Sequence, residues 1–159
     1  MIVIYHCWGG AHSSVTAASI HLGLLPSGRI PAKEEFLHTK HFDRQGPGDH
    51  GKIFPLGIDE QGHQICFMGR TFYAEIIIRA IGGVAKLHQL DPNQIIFVDV
   101  MSCVNYVMML GGSVSRALHL IAVGRPIVIR GTQQSYGRLV QLVNEVKKGI
   151  REKTGDDDE

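Results

Sequence analysis

The sequence predicts an α/β fold: a three-layer sandwich around a mainly parallel sheet, Rossmann-like or P-loop-like, with an inserted β-hairpin. Three observations predict it. Two short apolar runs, Ile2-Val-Ile-Tyr-His6 and Ile95-Ile-Phe-Val-Asp99, suit strands covered on both faces. Segments of helical period alternate with such runs, the layout that places helices over a parallel sheet. A further pair of runs, Lys52–Gly57 and His63–Met68, flanks Ile58-Asp-Glu-Gln-Gly62, the pattern of two strands paired about a turn.

In chain order, strand 2–6 comes first and ends at Gly9-Gly10, a tight loop. From Ser13 a stretch of small and apolar residues runs to Leu25 and reads as a helix stopped by Pro26. Pro31 opens a short helix through Leu37, and the polar, glycine-rich residues 43–51 read as a loop. After the hairpin, Phe72, Ile76, Ile77, Ile81 and Val84 recur at helical spacing, with Gly82-Gly83 weakening the middle. Asp91-Pro-Asn93 makes a turn into the strand 95–99. Helices are expected at 103–110 and 113–123, separated by Gly111-Gly112 and ended by Gly124. Pro126-Ile-Val-Ile-Arg130 reads as a last, parallel strand, and 135–153 as an amphipathic closing helix. No internal repeat is visible. A single domain over 1–153 precedes an acidic disordered tail over 154–159, whose like charges favour solvation.

Composition bounds the function. The 159 residues suffice for one core and not for two ordinary domains. Sixteen basic against fifteen acidic residues leave a formal charge of +1, which gives no general attraction to nucleic acid or anionic lipid. No apolar stretch spans a bilayer, and Met1 leads straight into a strand without a signal-like segment, so no membrane role is expected. Cys7, Cys66 and Cys103 are odd in number and lack C-x-x-C spacing; a reducing cytoplasm is the expected setting.

Ligands of an open α/β sheet sit beyond the carboxyl ends of its strands, so the loops after His6, Asp99 and Arg130 are the places to look. Cys7-Trp-Gly-Gly-Ala-His-Ser-Ser14 leads from strand to helix. Gly9, Gly10, Ser13 and Ser14 in that loop would let backbone N–H groups and a helix N-terminus face an anion. The alternative is that the glycines permit close packing and Ser13 caps the helix. The loop has no Lys, so His12 would have to take the part a P-loop lysine plays. Asp99 would hold magnesium at its strand end, or else cap the next helix. Ser113, Ser115 and Arg116 form a second glycine-and-hydroxyl helix start, with Arg116 offering a fork to phosphate. Thr132 comes after the last expected strand, in a third small-residue loop.

Gly46-Pro-Gly-Asp-His-Gly51-Lys52-Ile53 nearly matches a P-loop, but Ile53 replaces the magnesium-binding hydroxyl, no strand precedes it and Pro55 comes directly after; a flexible loop or lid is expected. Nine histidines, six among the first 50 residues, leave open a metal- or thiol-dependent enzyme using His6, Cys7 and His12 with His41 or His50. No zinc-type spacing supports it. Cys7 before a helix is conceivable as a nucleophile, although no Arg precedes Arg29 to complete a phosphatase-like loop. Trp8 reads as a lid on a bound ring or as packing.

The strings Ile4-Tyr-His-Cys-Trp-Gly-Gly-Ala-His-Ser-Ser14, Ile20-His-Leu-Gly-Leu-Leu-Pro26, Gly57-Ile-Asp-Glu-Gln-Gly62, Leu110-Gly-Gly-Ser-Val-Ser-Arg116, Gly124-Arg-Pro126 and Gly131-Thr132 resemble a family of small bacterial proteins catalogued as a domain of unknown function. The resemblance spans most of the chain and implies no activity. The leading expectation is therefore a phosphorylated small molecule or nucleotide held by residues 8–14, Asp99–Ser102 and 111–116, with Asp99 on magnesium and His12 moving a proton. A non-catalytic module, a homodimer through the hairpin edge 52–69, is the other reading.

Overall fold

The structure is a computed structural model that describes residues 1–117 and 120–155; the side chains of residues 116 and 117 are not among those described. The acidic tail lies, from residue 156 on, outside the described residues as well. Four strands form one mostly parallel sheet: β1 (Ile2–Cys7), β2 (Ile53–Ile58), β3 (Gln64–Gly69) and β4 (Ile95–Asp99), in the order β2-β3-β1-β4. β1 lies parallel to both β3 and β4, which brings Cys7, Gly69 and Asp99 to one edge. β2 pairs antiparallel with β3 about the expected turn. The hairpin is not an appendage, because β3 pairs with β1 along its whole length. On β2, Pro55 and a register shift between Pro55 and Gly57 interrupt the outer edge, which works against pairing with another strand.

Among the described residues the α-helices are α1 (Ser13–His21), α2 (Lys33–His38), α3 (Ala74–Leu87), α4 (Tyr106–Gly112) and α5 (Ile121–Thr154). Alternation along the strands sends Val3, Tyr5, Ile65 and Phe67 to one face, where they pack with Val15 and Ala18 of α1 and Leu139 and Val143 of α5. Ile4, Cys66 and Met68 form a smaller cluster on the other face with Ile77 and Ile81 of α3. All nine residues of α1 are buried. Its small side chains let it sit between sheet and α5. It ends at His21 rather than near Pro26, since Gly23 at φ +68 turns the chain back while Leu24 N–H bonds the Ser19 carbonyl.

The expected strand 126–130 is a correction. Those residues lie within the 34-residue α5, as does Gly124, which ends no helix. The Ile127-Val-Ile129 run favours a strand locally, but tertiary packing decides otherwise. Gly124, Val128, Gly131, Ser135, Leu139 and Val143 form one buried helical stripe. A Cβ on Gly124 would lie 2.2 Å from the Ser115 backbone nitrogen, one on Gly131 2.5 Å from that of Met108, and one on Gly111 2.4 Å from that of Val128. The glycines that read as punctuation are the surfaces on which α4, the single π-turn Ser113–Ala117 and α5 touch backbone to backbone. Pro126 costs α5 one hydrogen bond, to the Ala122 carbonyl, near its start.

Candidate functional site

A cleft of about 470 Å³ opens beyond the carboxyl ends of β1, β3 and β4. Three connections that leave those ends meet there: residues 8–13 from β1, Phe72 from β3, and Met101 with Val104 from β4. Met108, Met109, Gly112 and Ser113 close one side and residues 45–50 another. The near-P-loop segment thus forms a wall, with Pro47–Asp49 as a 3₁₀ turn. The lining is mainly apolar. Trp8 stands T-shaped to His50 at 5.5 Å and to Phe72 at 6.1 Å, and 44% of it remains accessible.

The loop before α1 folds around the Cys7 sulfur. Gly10 N–H donates to Sγ at 3.2 Å, and Ser14 Oγ lies 3.2 Å from it. Gly10 needs its left-handed φ of +68 and its missing side chain, because a Cβ would meet the Gly69 backbone at 2.5 Å. Gly10 and Ser14 therefore serve the loop and the sulfur, while Gly9 and Ser13 line the cleft. Ser13 is not the cap of α1. His12 occupies that position, and no side chain caps the helix. Ser13 is 2% exposed and its hydroxyl has no hydrogen-bond partner among the described residues. Nor do the backbone N–H groups of Ala11, His12 and Ser13 find an acceptor among those residues.

His12 is oriented from behind. Asp43, buried and at φ +54, accepts from His12 Nε2 at 3.0 Å, from Ser115 Oγ at 2.8 and 3.0 Å, and from Arg125 Nε at 2.7 Å. Burial pushes the Asp43 carboxyl up, but the bonds from His12, Arg125 and Ser115 outweigh it and hold the group at about 2. Asp43 is thus an acceptor at neutral pH, so Nε2 carries the proton of the neutral ring and Nδ1 has its lone pair. Nδ1 has no partner among the described residues; a Cβ on Gly112 would lie 3.4 Å from it.

The other expected residues are placed elsewhere. Asp99 accepts from Arg70 Nη2 at 2.9 Å through one oxygen and from Met101 N–H at 2.9 Å through the other. Each Asp99 oxygen thus already accepts one bond, and Asp99 does not line the cleft. Arg70 Nε also donates to His6 Nδ1 at 3.0 Å, which fixes His6 as a neutral acceptor; burial lowers its pKa further. Ser113 lines the cleft, whereas Ser115 is committed to Asp43. Thr132 sits in no loop: it is buried in α5, its hydroxyl donating to the Val128 carbonyl. The Arg116 side chain lies outside the described residues. No group of three His, Cys, Asp or Glu that could hold a metal occurs among the described residues.

The sequence reading missed Arg125, the methionine wall and Phe72 as site residues, and took Asp43 as part of the loop 43–51. Nothing local marks them: they reach the site from distant parts of the chain. A family model described as "Protein of unknown function (DUF3189)" matches residues 2–148. No curated protein and no solved structure matches the chain.

Proposed function

Because the chain belongs to the DUF3189 family of proteins of unknown function, its chemistry has to be read from its own cleft, and we propose that it binds a phosphorylated small molecule or nucleotide there. One observation carries the reading: the uncapped start of α1, with the unpartnered Ser13 hydroxyl, borders a mainly apolar cleft. Three N–H groups without acceptors and a helix N-terminus suit an anion. A bound phosphate would supply the acceptors that these N–H groups lack among the described residues. Trp8, Phe72 and Met101 suit a planar, apolar body attached to it. The recognition is of one charged end and one flat end, as in a nucleotide.

Thermal unfolding with inorganic phosphate, AMP, adenosine, phenyl phosphate and phenol tests this. A ligand at a hundred times its dissociation constant contributes about 2.7 kcal/mol. The phosphorylated member of each pair should stabilise the protein and its parent should not. Ser13→Ala should weaken all phosphates alike, and Trp8→Ala should weaken AMP and phenyl phosphate more than phosphate itself. Equal shifts from adenosine and AMP would overturn the proposal.

A further inference from the structure

We propose that Cys7 is the nucleophile of a phosphate-monoester hydrolase, with His12 as the group that moves the proton. The inference rests on the phosphate reading and adds a reaction to it. Among the three cysteines only Cys7 lines the cleft. Cys66 lies in the cluster under α3, where burial pushes its thiol up to about 11, and burial raises that of Cys103 as well. Cys7 differs from both in holding a backbone donor, the Gly10 N–H, on its sulfur at 3.2 Å, with the Ser14 hydroxyl at the same distance. The Gly10 bond fixes the direction of the sulfur within the loop. The same loop presents Ser13 and the acceptor-less N–H groups, so sulfur and phosphate site share one short segment.

His12 supplies the second half. Its Nε2–H is held by the Asp43 carboxylate, its Nδ1 is unpaired among the described residues, and the ring lines the cleft. Asp43 does not face the substrate and is a positioning residue. In the first step the proton lost by the Cys7 thiol is carried on His12 Nδ1, the resulting thiolate attacks phosphorus, the S–P bond forms, the P–O bond to the alcohol breaks, and His12 gives that Nδ1 proton to the departing oxygen. In the second step water attacks phosphorus and passes its proton to Nδ1. The S–P bond then breaks, returning the thiolate and releasing inorganic phosphate. No redox partner or metal enters the balance. The loop from Cys7 to Ser14 has no Lys or Arg, so phosphate charge falls on backbone N–H groups, the α1 terminus and the imidazolium. The substrate class is a monoester of a planar, apolar alcohol, shaped by Trp8 and Phe72.

The wild-type protein is incubated with p-nitrophenyl phosphate or phenyl phosphate, quenched in acid and analysed by peptide mass. A phosphoryl group on the Cys7 peptide is expected, absent in Cys7→Ser together with turnover. His12→Ala should slow phenyl phosphate by about 10²–10⁴-fold and p-nitrophenyl phosphate much less, because only the poorer leaving group needs an acid. Should Cys7→Ser fail to fold, iodoacetamide labelling of the wild type decides: Cys7 should react faster than Cys66, and phosphate should protect it. Turnover that survives in Cys7→Ser, or Cys7 labelling no faster than Cys66, would overturn the nucleophile. If inorganic phosphate still stabilises the protein in that case, the binding reading stands; if it does not, both fall.

Discussion

Asp43 joins three parts of the chain that no local pattern connects: the His12 ring, the Ser115 hydroxyl and the Arg125 guanidinium all donate to it. Asp43→Asn would turn an amide donor toward one of these donors and remove the charge that fixes the His12 tautomer. The variant should lose about 2–3 kcal/mol, read by urea unfolding. The pH dependence has a definite sign. With its carboxyl at about 2 in the fold against an ordinary 3.8, Asp43 stabilises the protein fully above about 3.8, and that contribution is lost as pH falls toward about 2. Asp43→Asn should flatten this acid limb, which acid unfolding followed by circular dichroism will show.

At the scale of elements, the crossing of α4 and α5 decides whether the cleft has its methionine wall. Gly124 and Gly131 of α5 each face backbone at a distance no Cβ tolerates. Gly137, on the same helix, has nothing within 4 Å. Gly124→Ala and Gly131→Ala should therefore each destabilise by about 1–3 kcal/mol or more, by forcing the helices apart. Gly137→Ala should stabilise by roughly 0.5–1 kcal/mol through lower chain entropy in the unfolded state. Urea midpoints of the three variants test the crossing directly; similar shifts for all would mean that α5 does not lie against α4 in this way.

For the molecule as a whole, a buried polar chain ties the sheet to α1 and to the β2–β3 turn. Tyr5 O–H donates to His21 Nδ1 at 2.7 Å, His21 Nε2–H to Asp59 at 3.1 Å, and His63 Nδ1–H to the same carboxylate at 3.0 Å. Burial, then Lys147 nearby, outweigh Asp59 and hold His21 down at about 4, so the ring is neutral in the fold; burial keeps Tyr5 protonated. Below about 6.5 the unfolded chain takes up a proton that folded His21 refuses until about 4. Stability is therefore full above about 6.5 and falls through that window, by about 3 kcal/mol for this one group. Thermal midpoints measured from neutral pH to about 4 should drop, and His21→Gln should start lower but show a shallower decline.

Local chemistry made much of this legible. The strands β1 and β4 arise from apolar runs, β2 and β3 from their turn, and the position of the cleft from the carboxyl ends of parallel strands, because each depends on neighbours in sequence. The family match, too, runs along one continuous stretch, residues 2–148. What sequence misread was α5, where Ile127–Ile129 between Pro126 and Gly131 has the marks of a strand. Only the packing of Gly124 and Gly131 against another backbone makes it helix. The same holds for the site: the cradle before α1 is a local feature, but the engagement of Asp99 by Arg70 and the placing of Asp43 behind His12 join residues 29 and 31 positions apart. Hydrogen bonds of that reach leave no periodic trace in the chain; the folded arrangement of the loops alone decides them.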